Sequence, residues 1–243
     1  PFGCTYPILP GDTIGVYGIV KRHIAAEGET TCDLAEYAAL RAMEAASVSS
    51  DDIDLIIIAT TTPDLIFPST ACLLQQRLGV RGTAAFDIQA VCTGFIYALS
   101  IADKFIKTGS AKKVLVVGAE TLSRIIDWTD RYTCVLFGDG AGAVILEPSE
   151  TPGIVSTFLH ADGHYKDLLK VPVGISTYCK KNKGNNTFIQ MQGNEVFKVA
   201  VNTLGRIVDE TLSANNLDKK DIDWLVPHQA NTRIISATAK KLD

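Results

Sequence analysis

Two rhythms of apolar and polar residues run along this chain. Phe95, Leu99, Ala102 and Ile106 recur at i, i+4, i+7 and i+11, the stripe of a helix that turns one face to a core. Lys104 and Lys107 stand near its end and Gly109 follows, a basic last turn and a C-terminal glycine that close it. Thr31 to Ala46 has the same character, with Leu34, Tyr37, Ala38, Leu40 and Ala45 set among charged residues. Phe67-Pro68-Ser69 opens a further helix that runs through Leu78 to Gly79, and Glu195 to Leu212 and Thr232 to Lys241 read as two more. Between them lie short, mostly apolar runs. Ile53 to Ala59 follows the polar turn Ser49-Ser50-Asp51-Asp52, Phe86-Asp87-Ile88 precedes the first helix named, and Lys113 to Gly118 follows it. Runs of this kind are buried on both faces of parallel sheets. Strands alternating with helices predict βαβ units and an α/β fold. Residues 1–20, with Pro7, Pro10 and four glycines, have no period from which to assign an element.

The segment Phe137-Gly138-Asp139-Gly140-Ala141-Gly142 resembles a phosphate loop, but such a loop opens a helix, and Ala143-Val144-Ile145-Leu146 looks like a strand. A glycine turn that lets backbones approach closely is expected instead. Asp52-Ile53-Asp54-Leu55-Ile56-Ile57 is echoed 169 positions later by Asp221-Ile222-Asp223-Trp224-Leu225-Val226, each after a helix and a polar turn. A duplicated α/β half is the expectation, with the halves at 1–150 and 151–243 and a second buried strand at 221–226. The second copy stops sooner after its motif than the first, so further residues after Asp243 are expected.

Composition narrows the function. With 47% apolar residues the chain can build a substantial core, and its longest apolar runs are far too short to span a bilayer. A net charge of −4, without basic runs, argues against a nucleic-acid partner. Pro1 to Pro10 lacks the basic and apolar regions of a secretory signal. Cys4, Cys32, Cys72, Cys92, Cys134 and Cys179 are scattered, with no C-x-x-C pair and no metal-like grouping with the four histidines. That pattern fits reduced thiols in a cytoplasm, and no metal site is expected.

Two residues stand where chemistry could be done. Cys92 is placed at the first turn of the helix that begins near Phe95, where unpaired N–H groups and the positive end of the dipole favour a thiolate nucleophile. His228 falls at the exit of the expected second-half strand, the end at which α/β folds carry ligands and catalysis. A cysteine at a helix start in one half and a histidine at a strand end in the other would face each other across a pseudo-twofold, an acyl-transfer arrangement.

Four segments together give the chain a family resemblance: Ala90-Val91-Cys92-Thr93-Gly94-Phe95, Phe137-Gly138-Asp139-Gly140-Ala141-Gly142, Gly193-Asn194-Glu195-Val196-Phe197 and Val226-Pro227-His228-Gln229-Ala230-Asn231. In this order they resemble the β-ketoacyl-acyl carrier protein synthase III family, over about Arg22 to Leu242 and thinning at 176–187. The resemblance implies a thiolase-like layered αβαβα fold built from two halves, the second incomplete here. It also implies the initiating condensation of type II fatty acid synthesis, acetyl-CoA with malonyl-acyl carrier protein, in a cytoplasmic homodimer of bacterial type or in a plastid. No resident cofactor is implied, since the CoA thioester is a substrate. Another thiolase-like acyl donor, or a non-catalytic fragment that binds carrier protein or a dimer partner, are the competing expectations.

Carried over position by position, Cys92 would be the nucleophile and His228 would steady the enolate oxygen. Arg131 would stack on the CoA adenine, Asn194 and Phe197 would line the substrate channel, and Phe67 would cross a dimer interface to the partner's acyl pocket. Lys198, Arg233 and Gln229 would meet the acidic carrier protein. The family's catalytic asparagine has no counterpart in this sequence, and Asn231 belongs to a different motif. Gly11-Asp12-Thr13 and Val16 stand where the family has an Asp-Glu-Trp segment and an arginine that clamp CoA.

Overall fold

The structure is a computed structural model that describes residues 5–7, 18–177 and 187–240. Two compact units interleave along the chain: one comprises residues 1–4, 23–122 and 138–159, the other 5–22, 123–137 and 160–243.

The first unit is a sheet with helices on both faces. Its helices are α1 (Thr31–Ala46), α2 (Thr70–Arg77) and α3 (Gly94–Lys107). Two short strands, β1 (Thr5–Pro7) and β2 (Lys21–His23), which apart from His23 belong to the second unit, pair separately from the first unit's main sheet. That sheet has the order β4-β3-β5-β6, from β3 (Leu55–Ala59), β4 (Ala84–Ile88), β5 (Val114–Thr121) and β6 (Asp139–Leu146). The first three strands are parallel, with Ala59 beside Ile88 and Gly118, and β6 runs antiparallel to β5 with Gly142 opposite Gly118. All five residues of β3 are buried, as a central strand covered on both faces requires.

Alternation of the strand side chains divides the core into two layers. Ile56, Ile58, Leu115 and Val117 pack with Cys32, Ala35, Ala39 and Leu74 under α1 and α2. Leu55, Ile57, Val114 and Val116 pack on the other face with Ala98 and Ala102 of α3. Local chemistry fixes the helix ends. Thr30 and Asp33 form a reciprocal cap at the start of α1, Ser69 caps α2 through the Cys72 N–H, and Gly79 follows α2 at φ +72°. The Phe67-Pro68 bond before that cap is cis.

The second unit contains β7 (Leu169–Lys170) paired with β8 (Gln190–Met191), the long α4 (Gly193–Ala214) and α5 (Thr232–Ala239). The expected strand at 221–226 is not formed: Lys219–Asp221 makes a 3₁₀ turn and the residues beyond it have no regular structure. A strand is held by its ladder, and among the described residues none pairs with this segment. Trp224 and Val226 accordingly stand 85% and 84% exposed. The glycine segment also differs from expectation. Gly140 and Gly142 lie inside β6 rather than in a turn, and a Cβ on either would meet nothing within 4 Å. No described helix is long and apolar enough to cross a membrane.

Candidate active site

Cys92 occupies a 3₁₀ turn, Val91–Thr93, between β4 and α3 rather than the first turn of the helix itself. Val91 holds φ +48°, a conformation that costs a β-branched residue and persists only where its surroundings impose it. Those surroundings are visible. The Ala90 carbonyl accepts both the Thr93 N–H, at 3.1 Å, and the Thr93 hydroxyl, at 2.8 Å. Gly94 closes the turn against the end of β3, where a Cβ would come within 3.0 Å of the Ala59 Cβ. One turn of backbone further, a Cβ on Gly118 would come within 3.3 Å of the Phe95 ring. These two glycines let α3 descend onto the carboxyl ends of the parallel strands, and Cys92 stands above those ends, exposed to solvent.

The sulfur does not have the depressed pKa that a helix start suggests. Burial of the sulfur's surroundings raises it, the Glu120 carboxylate raises it further, and the N–H of Cys92 itself pulls the other way. Burial and Glu120 both favour the thiol over the thiolate. Glu120 was not anticipated from the sequence, where it reads only as the tail of an apolar run. Its own pKa is raised by burial, against the opposing bonds from Thr62 and Thr61. A strand that runs on to Thr121 instead of stopping at Gly118 brings it to the site. Phe67, in the same unit, is 83% exposed beside exposed Ile66 and Leu65.

The second unit holds the other expected residues. His228 is exposed in an irregular segment, its carbonyl accepting the Ala230 N–H at 3.0 Å. Burial of its ring and the charge of Arg22 lower its pKa, so the imidazole is neutral at pH 7. Arg22 donates from Nε to the Leu136 carbonyl at 2.9 Å. Asn231 is the cap of α5, its side chain accepting the Ile234 N–H at 2.9 Å, which accounts for it without a catalytic role. Asn194 lies within the first turn of α4 and does not cap it, because the helix starts one residue earlier. The structure brings Arg233 over the Phe197 ring at 5.5 Å, joining α4 to α5 by a cation–π contact. Lys198 pairs with Glu195 at 2.7 Å, Gln229 bonds the Pro227 carbonyl, and Arg131 is exposed in a turned segment. Gly11-Asp12-Thr13 and Val16 lie outside the described residues, as do Cys4 and Cys179.

The site is a cysteine on a constrained turn, and comparison with known proteins bears on what it serves. Residues 86–163 match the model for 3-oxoacyl-[acyl-carrier-protein] synthase III, and residues 212–243 match its C-terminal counterpart. The chain is 71% identical over 225 residues to β-ketoacyl-[acyl-carrier-protein] synthase III of Thioalkalivibrio sulfidiphilus, covering 93% of this chain and 70% of that protein. Among solved structures, 3-oxoacyl-[acyl-carrier-protein] synthase III from Aquifex aeolicus superposes with a TM-score of 0.86 at 47% identity, over 94% of this chain and 70% of that one. The Thermus thermophilus enzyme gives 0.90 at 38% identity, over 100% and 78%. The expected thiolase-like fold is thereby established, and the chain belongs to the β-ketoacyl-[acyl-carrier-protein] synthase III family.

Proposed function

We propose that this chain catalyses the initiating condensation of type II fatty acid synthesis, joining the acetyl group of acetyl-CoA to malonyl-acyl carrier protein with loss of carbon dioxide. The observation that carries this is Cys92 itself: an accessible sulfur on a turn held at positive φ, over the carboxyl ends of parallel strands. The sulfur attacks the acetyl carbonyl, and its proton passes to the departing CoA sulfur. The bond to the CoA sulfur then breaks, leaving an acetyl-cysteine and free CoA. The Cys92 N–H supplies a donor for the oxyanion. A thioester exchanges with a thiolate unaided, so this chemistry asks for no resident cofactor.

Malonyl-acyl carrier protein follows. Its carboxylate leaves as carbon dioxide and the electron pair of the broken C–C bond forms an enolate. A neutral His228 donates a hydrogen bond to the enolate oxygen, which its lowered pKa supports. The enolate carbon attacks the acetyl carbonyl, and Cys92 departs as the thiolate. Arg131 is assigned to the CoA adenine, Asn194 and Phe197 to the substrate channel, and Lys198, Arg233 and Gln229 to the carrier protein; Asn194, Arg131 and Lys198 are exposed, as those roles need. Free Cys32, Cys72, Cys92 and Cys134 support a reducing cytoplasm. A homodimer is supported by exposed Leu65, Ile66 and Phe67 in one stretch.

Incubation with acetyl-CoA followed by intact-mass measurement tests the first step. An acetyl adduct on the wild-type protein, absent from Cys92→Ser, is expected together with release of free CoA. An adduct that persists in Cys92→Ser would overturn the assignment.

A further inference from the structure

Glu120 is a charged group that the acyl transfer described above leaves without a part. Its direction follows from the strand. Gly118 faces Phe95 of α3, so Glu120, two residues on, leaves β5 on that same face. Thr121 turns the opposite way, its Oγ1 2.8 Å from that of Thr31 on α1. The turn that carries Cys92 stands on the α3 face, because Gly94 packs onto Ala59, the residue beside Gly118 in the sheet.

Glu120 is fixed in that place. Its Oε1 accepts the Thr61 N–H at 2.8 Å and its Oε2 accepts the Thr62 hydroxyl at 2.6 Å. The Thr62 Oγ1 in turn accepts the Thr121 N–H at 2.9 Å. One carboxylate therefore ties the loop leaving β3 to the end of β5. Among the described residues no lysine or arginine pairs with it.

Among the described residues, the titratable groups on the surrounding elements are engaged elsewhere or face away. β3 has no titratable side chain. Asp87 of β4 points to the opposite face, where it accepts the Thr70 and Ala71 N–H groups. Asp139 of β6 accepts the Ala25 N–H. On α3, Asp103 pairs with Lys104 and Lys107 toward the far end. Asp33 and Glu36 of α1 pair with Arg77 of α2.

We propose that Glu120 is a positioning residue for the nucleophile: clamped by Thr61 and Thr62 on the sheet face that carries the Cys92 turn, it presents a fixed negative charge to the sulfur as the sulfur gives up its proton. The inference rests on Cys92 being the nucleophile. An exposed thiolate is open to alkylation and oxidation, and a fixed anion on its own sheet face restrains that reactivity until a thioester arrives. The group is neither proton acceptor nor substrate ligand in this account; it acts through Cys92.

The test is the pH profile of Cys92 alkylation by iodoacetamide, followed by peptide mass mapping on the full chain with thermal melting alongside. In Glu120→Gln the midpoint should fall by about half to one pH unit, and alkylation at neutral pH should rise about three- to tenfold. Glu120→Asp, which keeps the charge, should retain the wild-type midpoint. A Gln variant that melts like the wild type with an unmoved or raised midpoint overturns the proposal, and so does an Asp variant that moves as far as Gln. If Glu120→Gln does not fold, Thr62→Val against Thr62→Ser replaces it. Removing the hydroxyl frees one carboxylate oxygen of Glu120 from its clamp, so the midpoint of Val should depart from the wild type and that of Ser should not, while equal midpoints overturn the proposal. Acetylation is read separately. A shifted midpoint in a protein that takes no acetyl group would sink the acyl-transfer assignment and leave the coupling standing, and an acetyl adduct with an unshifted midpoint would do the reverse.

Discussion

At Cys92 two environments oppose each other. The start of α3 offers backbone N–H groups that favour a thiolate, whereas burial around the sulfur and the Glu120 charge favour the thiol. At His228 the environment favours the neutral ring, the form assigned above as donor to the enolate. Burial and Arg22 push its pKa below 6.5. The protonated form therefore accumulates only at more acid pH than for a free histidine, and condensation should hold steady as pH falls through 6.5 before declining. His228→Ala should keep the acetyl adduct on Cys92 yet lose condensation by about 10²- to 10⁴-fold, measured as product formed from malonyl-acyl carrier protein. Equal loss of both steps would show that His228 serves Cys92 instead of the enolate. Both residues were singled out in the sequence by their motifs. Glu120 was not, because the run Val114 to Val117 masks a strand that continues past Gly118, and only alternation in the folded sheet reveals which face a strand's last residues address.

At the scale of elements, sequence patterns gave the helices well. The bounds of α1 coincide with the periodic stretch Thr31 to Ala46, and α2 sits between its Ser69 cap and Gly79 as expected. Apolar runs gave β3 and β5 because both faces of those strands are buried. The same reasoning failed at 221–226, where an apolar run without a ladder partner stays irregular, and at 139–142, where glycines extend β6 instead of turning. Local pattern reports what a segment could bury, whereas pairing decides what it becomes. The joint between α3 and β3 gives a prediction at this scale. Gly94→Ala places a methyl 3.0 Å from the Ala59 Cβ, so one backbone has to move. We expect a stability loss of about 1–3 kcal/mol, seen in chemical denaturation, with slower acetylation of Cys92 because the turn moves with the helix. Adding Ala59→Gly should restore the acetylation rate. If Gly94→Ala acetylates at the wild-type rate, the close approach does not position the nucleophile.

For the whole molecule, the question is what covers the apolar stretch at Leu65, Ile66 and Phe67. Phe67 is 83% exposed within its own chain, so its removal takes little packing away from the folded protomer. A large aromatic left in water is instead suited to bury itself in a partner, where truncating such an anchor costs about 2 kcal/mol or more. If Phe67 crosses between two copies, Phe67→Ser should raise the dimer dissociation constant by about thirtyfold or more, measured by analytical ultracentrifugation, while protomer unfolding measured at high dilution is unchanged. Acetylation of Cys92 should fall in the same variant, since the partner's acyl pocket would lose one wall. A dimer of wild-type affinity with a lowered unfolding midpoint would place Phe67 in the protomer's own core, in conflict with its exposure. The two outcomes separate because one depends on protein concentration and the other does not.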